Sequence, residues 1–159
     1  MKRRSLLGAL VAAVLCLGPW GCGEPHSDHS GGSHPAGGHA HEPKYGGILV
    51  ELGNHEGNVE VVLDPTAGRL TLYVLDAHAE NFVRLPVSSI AVVADAPGGP
   101  RTLNLQPVAN TATGEKAGDT SQFEVVEEWL KTSPTLTGRI QELPVRSKTY
   151  RDVAFQITR

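Results

Sequence analysis

The stretch NVEVVLDPTAGRLTLYVL, residues 58–75, decides the fold class of this chain. Each half alternates apolar residues with others at a period of two, which is typical of a strand with one buried face. Glu60 and Val62 lie on the opposite face. Between the halves stand Pro-Thr-Ala-Gly, in which proline presets φ and glycine tolerates positive φ. The stretch therefore predicts an antiparallel β-hairpin. The positions of the apolar face are Val59, Val61, Leu63, Leu70, Leu72 and Val74.

Short strand candidates continue on both sides of this hairpin. They are residues 47–52, 88–94, 101–108, 121–126, 136–143 and 149–158. Residues 96–100 are predicted as a loop, residues 110–119 as an exposed hairpin loop, and residues 127–130 as a short helical turn. Phe123 and Trp129 are predicted as core residues. No segment shows a long helical period. The pattern predicts an all-β fold, a single antiparallel β-sandwich of Ig-like or small barrel-like form.

The first residues have the layout of an export signal. Lys2, Arg3 and Arg4 precede an apolar run over residues 6–17. A basic start followed by a short apolar core is typical of a secretory signal peptide, and the run is shorter than the ~20 residues that a membrane-spanning helix needs. We expect a signal peptide over residues 1–21, and therefore an exported protein.

Residues 17–22, LGPWGC, resemble a bacterial lipobox. In lipoproteins the signal is cleaved before the cysteine, which is then diacylated on its sulfur. Gly21 matches the small residue that the motif wants, whereas the proline and tryptophan before it depart from the usual pattern. The resemblance implies lipidation of Cys22 and membrane anchoring there. Because Gly23 rather than aspartate follows, it favours the outer over the inner membrane. Ordinary cleavage nearby, with Cys22 as a spare thiol, is the alternative.

The mature chain is acidic. Loss of three of the 14 basic residues with the signal leaves 11 against 17 acidic residues, a formal charge of −6. A surface of this sign argues against nucleic acid as a partner and is compatible with attraction of cations.

Residues 22–43 have the composition of a disordered tether, since glycine, serine, proline and alanine dominate and large apolar residues are scarce. The predicted β-sandwich domain follows over residues 44–159. Five of the seven histidines of the chain lie in the tether, and Asp28 and Glu42 could add carboxylate oxygens. A flexible imidazole-rich segment indicates capture of a transition metal, although a passive spacer with incidental histidines is the alternative. The five are His26, His29, His34, His39 and His41.

The ligand types favour Zn(II), Cu(II) or Ni(II). The only methionine is Met1 and no cysteine lies in the predicted domain, so a soft Cu(I) site is poorly supported. The protonated imidazole of histidine has a reference pKa of about 6.5. Below that pH, protons compete with the metal for the same lone pairs, so metal binding should weaken. Because a floppy ligand set must be ordered on binding, we expect buffering or transfer of metal. No motif indicates an organic cofactor.

Two histidines lie within the predicted domain. His55 is in a predicted turn between the first two strands, where it is either an exposed loop residue or a fixed ligand that receives metal from the tether, with Glu56 beside it. His78 has Asp76 and Glu80 two positions away on either side. In an extended segment these three side chains would share one face and form an oxygen–nitrogen–oxygen ligand set. A turn at this point would separate them.

Catalytic motifs are missing from the sequence. It contains no Gly-x-Ser-x-Gly elbow, no His-Glu-x-x-His pair, no phosphate-binding glycine loop and no cysteine nucleophile in the predicted domain. We therefore expect a protein that is not an enzyme.

Residues 39–47 are followed by a strand, a histidine-bearing turn and the hairpin described above. Together they resemble His-rich bacterial envelope proteins, some of which accompany heavy-metal efflux adaptors. The resemblance extends to residue 76, and related segments often carry histidine where Tyr45 stands here. It implies an envelope or efflux-complex protein as a partner. The positions to which it carries over a metal-handling role are His39, His41 and His55.

These observations predict an exported, lipid-anchored envelope protein whose His-rich tether binds or buffers a divalent transition metal. The alternative is a β-sandwich with a structural or protein-interaction role, in which the tether only separates the domain from the membrane. A third possibility is an accessory domain of an efflux or secretion complex.

Overall fold

A computed structural model describes residues 41–158, which form eight β-strands and one 3₁₀ turn, Glu128–Lys131. The strands are β1 (Ile48–Leu52), β2 (Gly57–Asp64), β3 (Arg69–Leu75), β4 (Ile90–Ala96), β5 (Gly99–Pro107), β6 (Gln122–Val126), β7 (Thr135–Val145) and β8 (Lys148–Thr158). The predicted signal peptide and most of the predicted tether lie outside the described residues. So do the proposed lipidation site and four proposed metal ligands, namely Cys22, His26, His29, His34 and His39.

The hairpin of residues 58–75 is confirmed. β2 and β3 pair antiparallel from Asn58 opposite Leu75 to Asp64 opposite Arg69, and residues 65–68 form the turn. Asp64 Oδ1 accepts hydrogen bonds from the backbone N–H groups of Thr66 and Ala67 and from the Thr66 hydroxyl. These bonds lower the pKa of the Asp64 carboxyl group. The strand ahead of the turn therefore ends in a side chain that satisfies the turn's backbone donors.

All eight strands belong to one antiparallel sheet with the order β1-β2-β3-β6-β5-β4-β7-β8. The connection from β3 to β4 passes over two strands, and so does the connection from β6 to β7. The edge strands β1 and β8 approach each other, so the sheet is nearly closed into a barrel-like sandwich. The predicted all-β class and antiparallel arrangement are confirmed, and the barrel-like form is the one adopted. In the part of the chain that is described, no helix is long and apolar enough to cross a membrane.

One buried cluster contains the inward faces of all eight strands. Phe123 and Leu130 are fully buried, while Trp129 is half-buried and packs against the cluster. The prediction that both aromatic residues lie in the core is confirmed for Phe123 and holds only in part for Trp129. The predicted apolar face of the hairpin is also buried, apart from Leu63, which is half-buried.

Two loop predictions were wrong in part. Residues 96–100 are not a loop throughout, because Ala96 pairs with Gly99 and Asp95 with Pro100, which leaves a two-residue turn between β4 and β5. Residues 110–119 are not uniformly exposed, because Glu115 is buried. Its carboxylate accepts bonds from the Ser121 hydroxyl at 2.5 Å and the Ser121 N–H at 2.9 Å. Burial would raise the pKa of Glu115, but these bonds lower it.

Gly138 leaves room for an aromatic ring from the next strand. It lies opposite Phe155 in the β7–β8 pair, and an added Cβ would meet that ring at 2.6 Å. We expect Gly138→Ala to displace the ring and lower the free energy of unfolding by about 1–3 kcal/mol, the usual range for overpacking. Urea unfolding followed by fluorescence would measure the change. The neighbouring exposed position supplies a control, because Thr137→Ala should stay within about 0.5 kcal/mol of the parent protein. Equal stability of the parent and Gly138→Ala would contradict this packing.

Candidate functional site

One end of the sheet carries His41, His55 and His78, the histidines among the described residues. Three connections meet there: the β1–β2 turn at residues 53–56, the segment at 76–81 and the β7–β8 turn at 146–147. They enclose an open cavity of about 290 Å³. Both His55 and Ala77, which precedes His78, line it. We call this region the histidine end.

His55 lies in the turn between β1 and β2, as its sequence context predicts. Its side chain is exposed, and its φ of 54° lies in the left-handed region. Glu51 supports this conformation, since its Oε1 accepts the His55 backbone N–H at 2.8 Å and lies 3.4 Å from Nδ1 of the ring. The free ring nitrogen, Nε2, therefore remains available at the rim of the cavity.

Glu56, the neighbour suggested as a second ligand, is bonded elsewhere. One carboxylate oxygen pairs with Lys148 and the other accepts the Tyr150 hydroxyl at 2.7 Å. The bond from Lys148 and then that from Tyr150 lower the pKa of Glu56. Both carboxylate oxygens therefore have donors on β8, so Glu56 joins the β1–β2 turn to that strand. It has no hydrogen bond to the His55 ring in the described part of the chain.

His78 stands in a turn, so the extended arrangement that would align Asp76, His78 and Glu80 is not formed. Asp76 closes the turn: Oδ1 accepts the Glu80 N–H at 2.9 Å and Oδ2 accepts the Asn81 amide at 2.7 Å. From the other side, Asn58 donates to the backbone oxygens of residues 76 and 77, at 3.0 Å each. The turn holds His78 exposed on a fixed backbone, and the Asp76 carboxylate is used in hydrogen bonds within the turn.

Acid should loosen this turn. Burial would raise the pKa of Asp76, but the bonds from Asn81 and Glu80 outweigh it and lower the pKa to about 2. The unfolded value is about 3.9, so the stabilisation is present above pH 4 and is lost as the pH falls from about 4 to about 2. We expect Asp76→Asn to flatten the pH dependence of unfolding in that window and to reduce amide protection at residues 78–81.

Acid titration with hydrogen exchange would measure both effects. The exposed Asp95→Asn on β4 provides a matched control and should leave the acid profile unchanged. An Asp76→Asn variant with the parent's acid profile would contradict a role for this carboxylate in the turn.

Residues 44–47 follow the predicted tether in sequence, and we call residues 22–47 together the arm. The last residues of the arm are fixed to the sheet by Glu60, a fully buried residue in the middle of β2. Its carboxylate accepts three backbone N–H groups: Tyr45 at 2.7 Å, Lys44 at 2.8 Å and Gly47 at 3.0 Å. Gly47 lies so close to β2 that an added Cβ would be 2.3 Å from the Val61 carbonyl oxygen. We call this arrangement of Glu60 with residues 44–47 the clasp.

Aromatic stacking reinforces the clasp. The Tyr45 ring stacks on Tyr73 with centroids 4.0 Å apart and an interplanar angle of 18°, and Phe82 lies 6.1 Å from Tyr45. Burial and then the nearby Glu60 raise the pKa of the Tyr45 hydroxyl, so the ring remains neutral at physiological pH. Tyr45 acts here as a packing residue.

The structure brings together His41 of the arm and His78 of the domain, two residues that the sequence indicated separately. Their ring centroids are 5.9 Å apart and the rings meet edge to face. Within residues 41–158 no group of three or more His, Cys, Asp or Glu side chains is arranged to hold a metal. His41 and His78 are therefore a pair of neighbouring imidazoles and not a complete metal site.

Glu60 was missed by sequence reasoning as a residue of this region. Its alternating position marked only the face of the strand, while its role depends on donors 13–16 residues earlier. A carboxylate in a strand shortly after the Tyr-Gly-Gly sequence was the available signal, because glycine permits close approach of the backbone.

Comparisons with protein-family models, with curated proteins and with solved structures gave no match to this chain. The functional interpretation therefore depends on the chemistry and geometry of the chain itself.

Proposed function

We propose that this protein is an exported, lipid-anchored envelope protein that binds and buffers a divalent transition metal, with Zn(II), Cu(II) or Ni(II) as the ion. The observation that supports this most directly is the approach of His41 to His78, at the histidine end that also carries His55. A binding role rather than catalysis agrees with the sequence, in which catalytic motifs are missing.

The arm and the domain contribute different properties to this function. The arm supplies several imidazoles on a glycine- and serine-rich chain, so ligands can converge on one ion in more than one way. The domain supplies histidines on turns whose backbones are held by side-chain hydrogen bonds. The arm histidines would capture the ion, and His41 and His78, as neighbouring imidazoles, would offer it a pair of nitrogen ligands. Heterogeneous stoichiometry is the expected outcome when the ion is in excess.

Anchoring at Cys22 would place this binding activity close to a membrane surface. The mature formal charge of −6 would favour cations over nucleic acid as ligands. We propose the outer membrane as the location and an envelope or efflux-complex protein as the recipient of the metal.

Isothermal titration of the chain from Gly23 onward with Zn(II) and with Cu(II) tests the function. We expect at least one ion to bind with micromolar or tighter affinity, and binding to weaken between about pH 7 and pH 5.5 as protons compete. Negligible heat with both ions would reject the metal function. That result would favour the alternative, in which the domain has a structural or protein-interaction role and the arm is a spacer.

A further inference from the structure

Glu60 is buried away from solvent yet its hydrogen bonds go entirely to the arm. Both carboxylate oxygens are used, since Oε1 accepts the N–H groups of Tyr45 and Gly47 and Oε2 accepts that of Lys44. Bonds from several N–H groups to a carboxylate are stronger than neutral ones. A strand needs no such residue for its own pairing, because the backbone of β2 is already paired on both sides by β1 and β3.

A second contact joins the arm directly to the segment that carries His78. Lys44 donates from Nζ to the backbone oxygen of Glu80 at 2.6 Å. Glu80 lies two residues after His78, and its own N–H is held by Asp76. The arm is therefore attached to the sheet by the clasp and to the turn at residues 76–81 by Lys44.

These attachments restrict where His41 can be. His41 lies three positions before Lys44, and an extended chain covers at most about 3.6 Å per residue. With the backbone of Lys44 held by Glu60, the Cα of His41 stays within about 11 Å of the Cα of Lys44. The structure places the ring of His41 5.9 Å from that of His78. An unattached arm would sample a far larger volume and would have to be ordered when the metal binds.

We propose that Glu60 is a positioning residue of the metal site: through the clasp it holds His41 beside His78 before metal arrives. The inference rests on the proposed metal-binding function. Glu60 has no contact with the ion. It reduces the cost of ordering His41 and His78 as a pair of ligands. Linkage requires the reverse effect as well, so bound metal strengthens the clasp.

Glu60→Gln in the chain from Gly23 onward is the main test, with Zn(II) as the probe. Glutamine keeps the shape of the side chain but removes the charge and turns an N–H₂ group toward one of the donors. We expect zinc affinity to fall by about tenfold, within the range seen when residues that orient metal ligands are replaced. Glu124→Gln is the charge-matched control, since Glu124 lies on β6, two strands away, and pairs with Arg69. Its affinity should match the parent's.

A double-mutant cycle with His78→Ala separates positioning from general destabilisation. Glu60→Gln should lower zinc affinity by about tenfold in the parent protein and by less than about twofold in the His78→Ala background, because without His78 there is no pair to align. Amide exchange at Tyr45 and Gly47 should become slower on zinc addition in the parent protein and remain fast in Glu60→Gln. If Glu60→Gln fails to fold, Tyr45→Ala, which removes the stacking and leaves β2 intact, takes its place in the cycle.

The possible failures can be told apart. If the parent chain binds zinc and Glu60→Gln binds it equally well, the positioning role is rejected and the metal function stands. An equal loss in both backgrounds also rejects the role, because Glu60 would then act independently of the His41–His78 pair. If the parent chain binds no zinc, the proposed function fails and the positioning role fails with it.

Discussion

Replacement of the five arm histidines by alanine is expected to lower the zinc affinity of the mature chain by on the order of 100-fold, about 2.7 kcal/mol. Zinc sites need three or four protein ligands. Without the arm imidazoles only His55 and His78 remain, and the described residues contain no cluster of three donors around either. The residues to be replaced are His26, His29, His34, His39 and His41.

Titration calorimetry with Zn(II), followed by a growth assay in excess metal, would measure the effect in vitro and in cells. His55→Ala alone serves as the matched control and should cost less than about tenfold, because its imidazole is one ligand among several. The variant arm retains its length, so its role as a spacer is unaffected. Unchanged zinc uptake and unchanged metal tolerance would reject the metal-binding function and favour the alternative in which the arm is a spacer.

Truncation of the Phe123 side chain is expected to have the largest effect on stability. Phe123 is fully buried on β6, where it lies opposite Leu72 of β3 and Pro107 of β5. The β5–β6 pairing is short, with only Gln106 and Pro107 in register, so side-chain packing must hold this junction of the sheet. We expect Phe123→Ala to lower the free energy of unfolding by about 3–5 kcal/mol through lost burial and a residual cavity.

Urea unfolding at equilibrium would measure the loss and would also report the slope with denaturant. Val126→Ala is a suitable control on the same strand, because that side chain is 54% exposed, and its effect should stay within about 0.5 kcal/mol. A loss of less than 1 kcal/mol for Phe123→Ala would mean that the junction is held by backbone pairing alone.

The hairpin shows how accurately local sequence patterns can predict the limits of strands. Residues 69–75 were predicted with the same limits as β3, and β2 begins one residue before its predicted start. The success has a local cause, since alternation, proline and glycine all lie within 18 consecutive residues. The same reasoning failed in part at residues 96–100, where two prolines and two glycines suggested a loop. There β5 begins at Gly99, and Pro100 fits because β5 pairs with β6 only at Gln106 and Pro107, so no second strand needs an N–H group from residue 100.

The sequence indicated the individual histidines of the candidate site but not that they lie at the same end of the sheet. His41, His55 and His78 were each indicated by composition or by turn context. Their common location depends on the meeting of three connections and on the clasp, which joins residues 44–47 to the middle of β2. The residues next to Glu60 show only which face of the strand it lies on, and the Tyr-Gly-Gly sequence that precedes the strand does not by itself show which side chain the backbone will cover. For the same reason, the buried Glu115 was expected to be exposed.

By itself, the sequence determined that the domain is all-β, where most of its strands lie, and that imidazoles are concentrated ahead of it. These are properties of short windows, because strand periodicity and turn chemistry act over a few residues. Only the tertiary structure decided the strand order, the burial of Glu60 and the approach of His41 to His78. Each of these depends on residues distant in sequence that meet once the sheet has nearly closed, and their contacts leave no periodic trace in the chain.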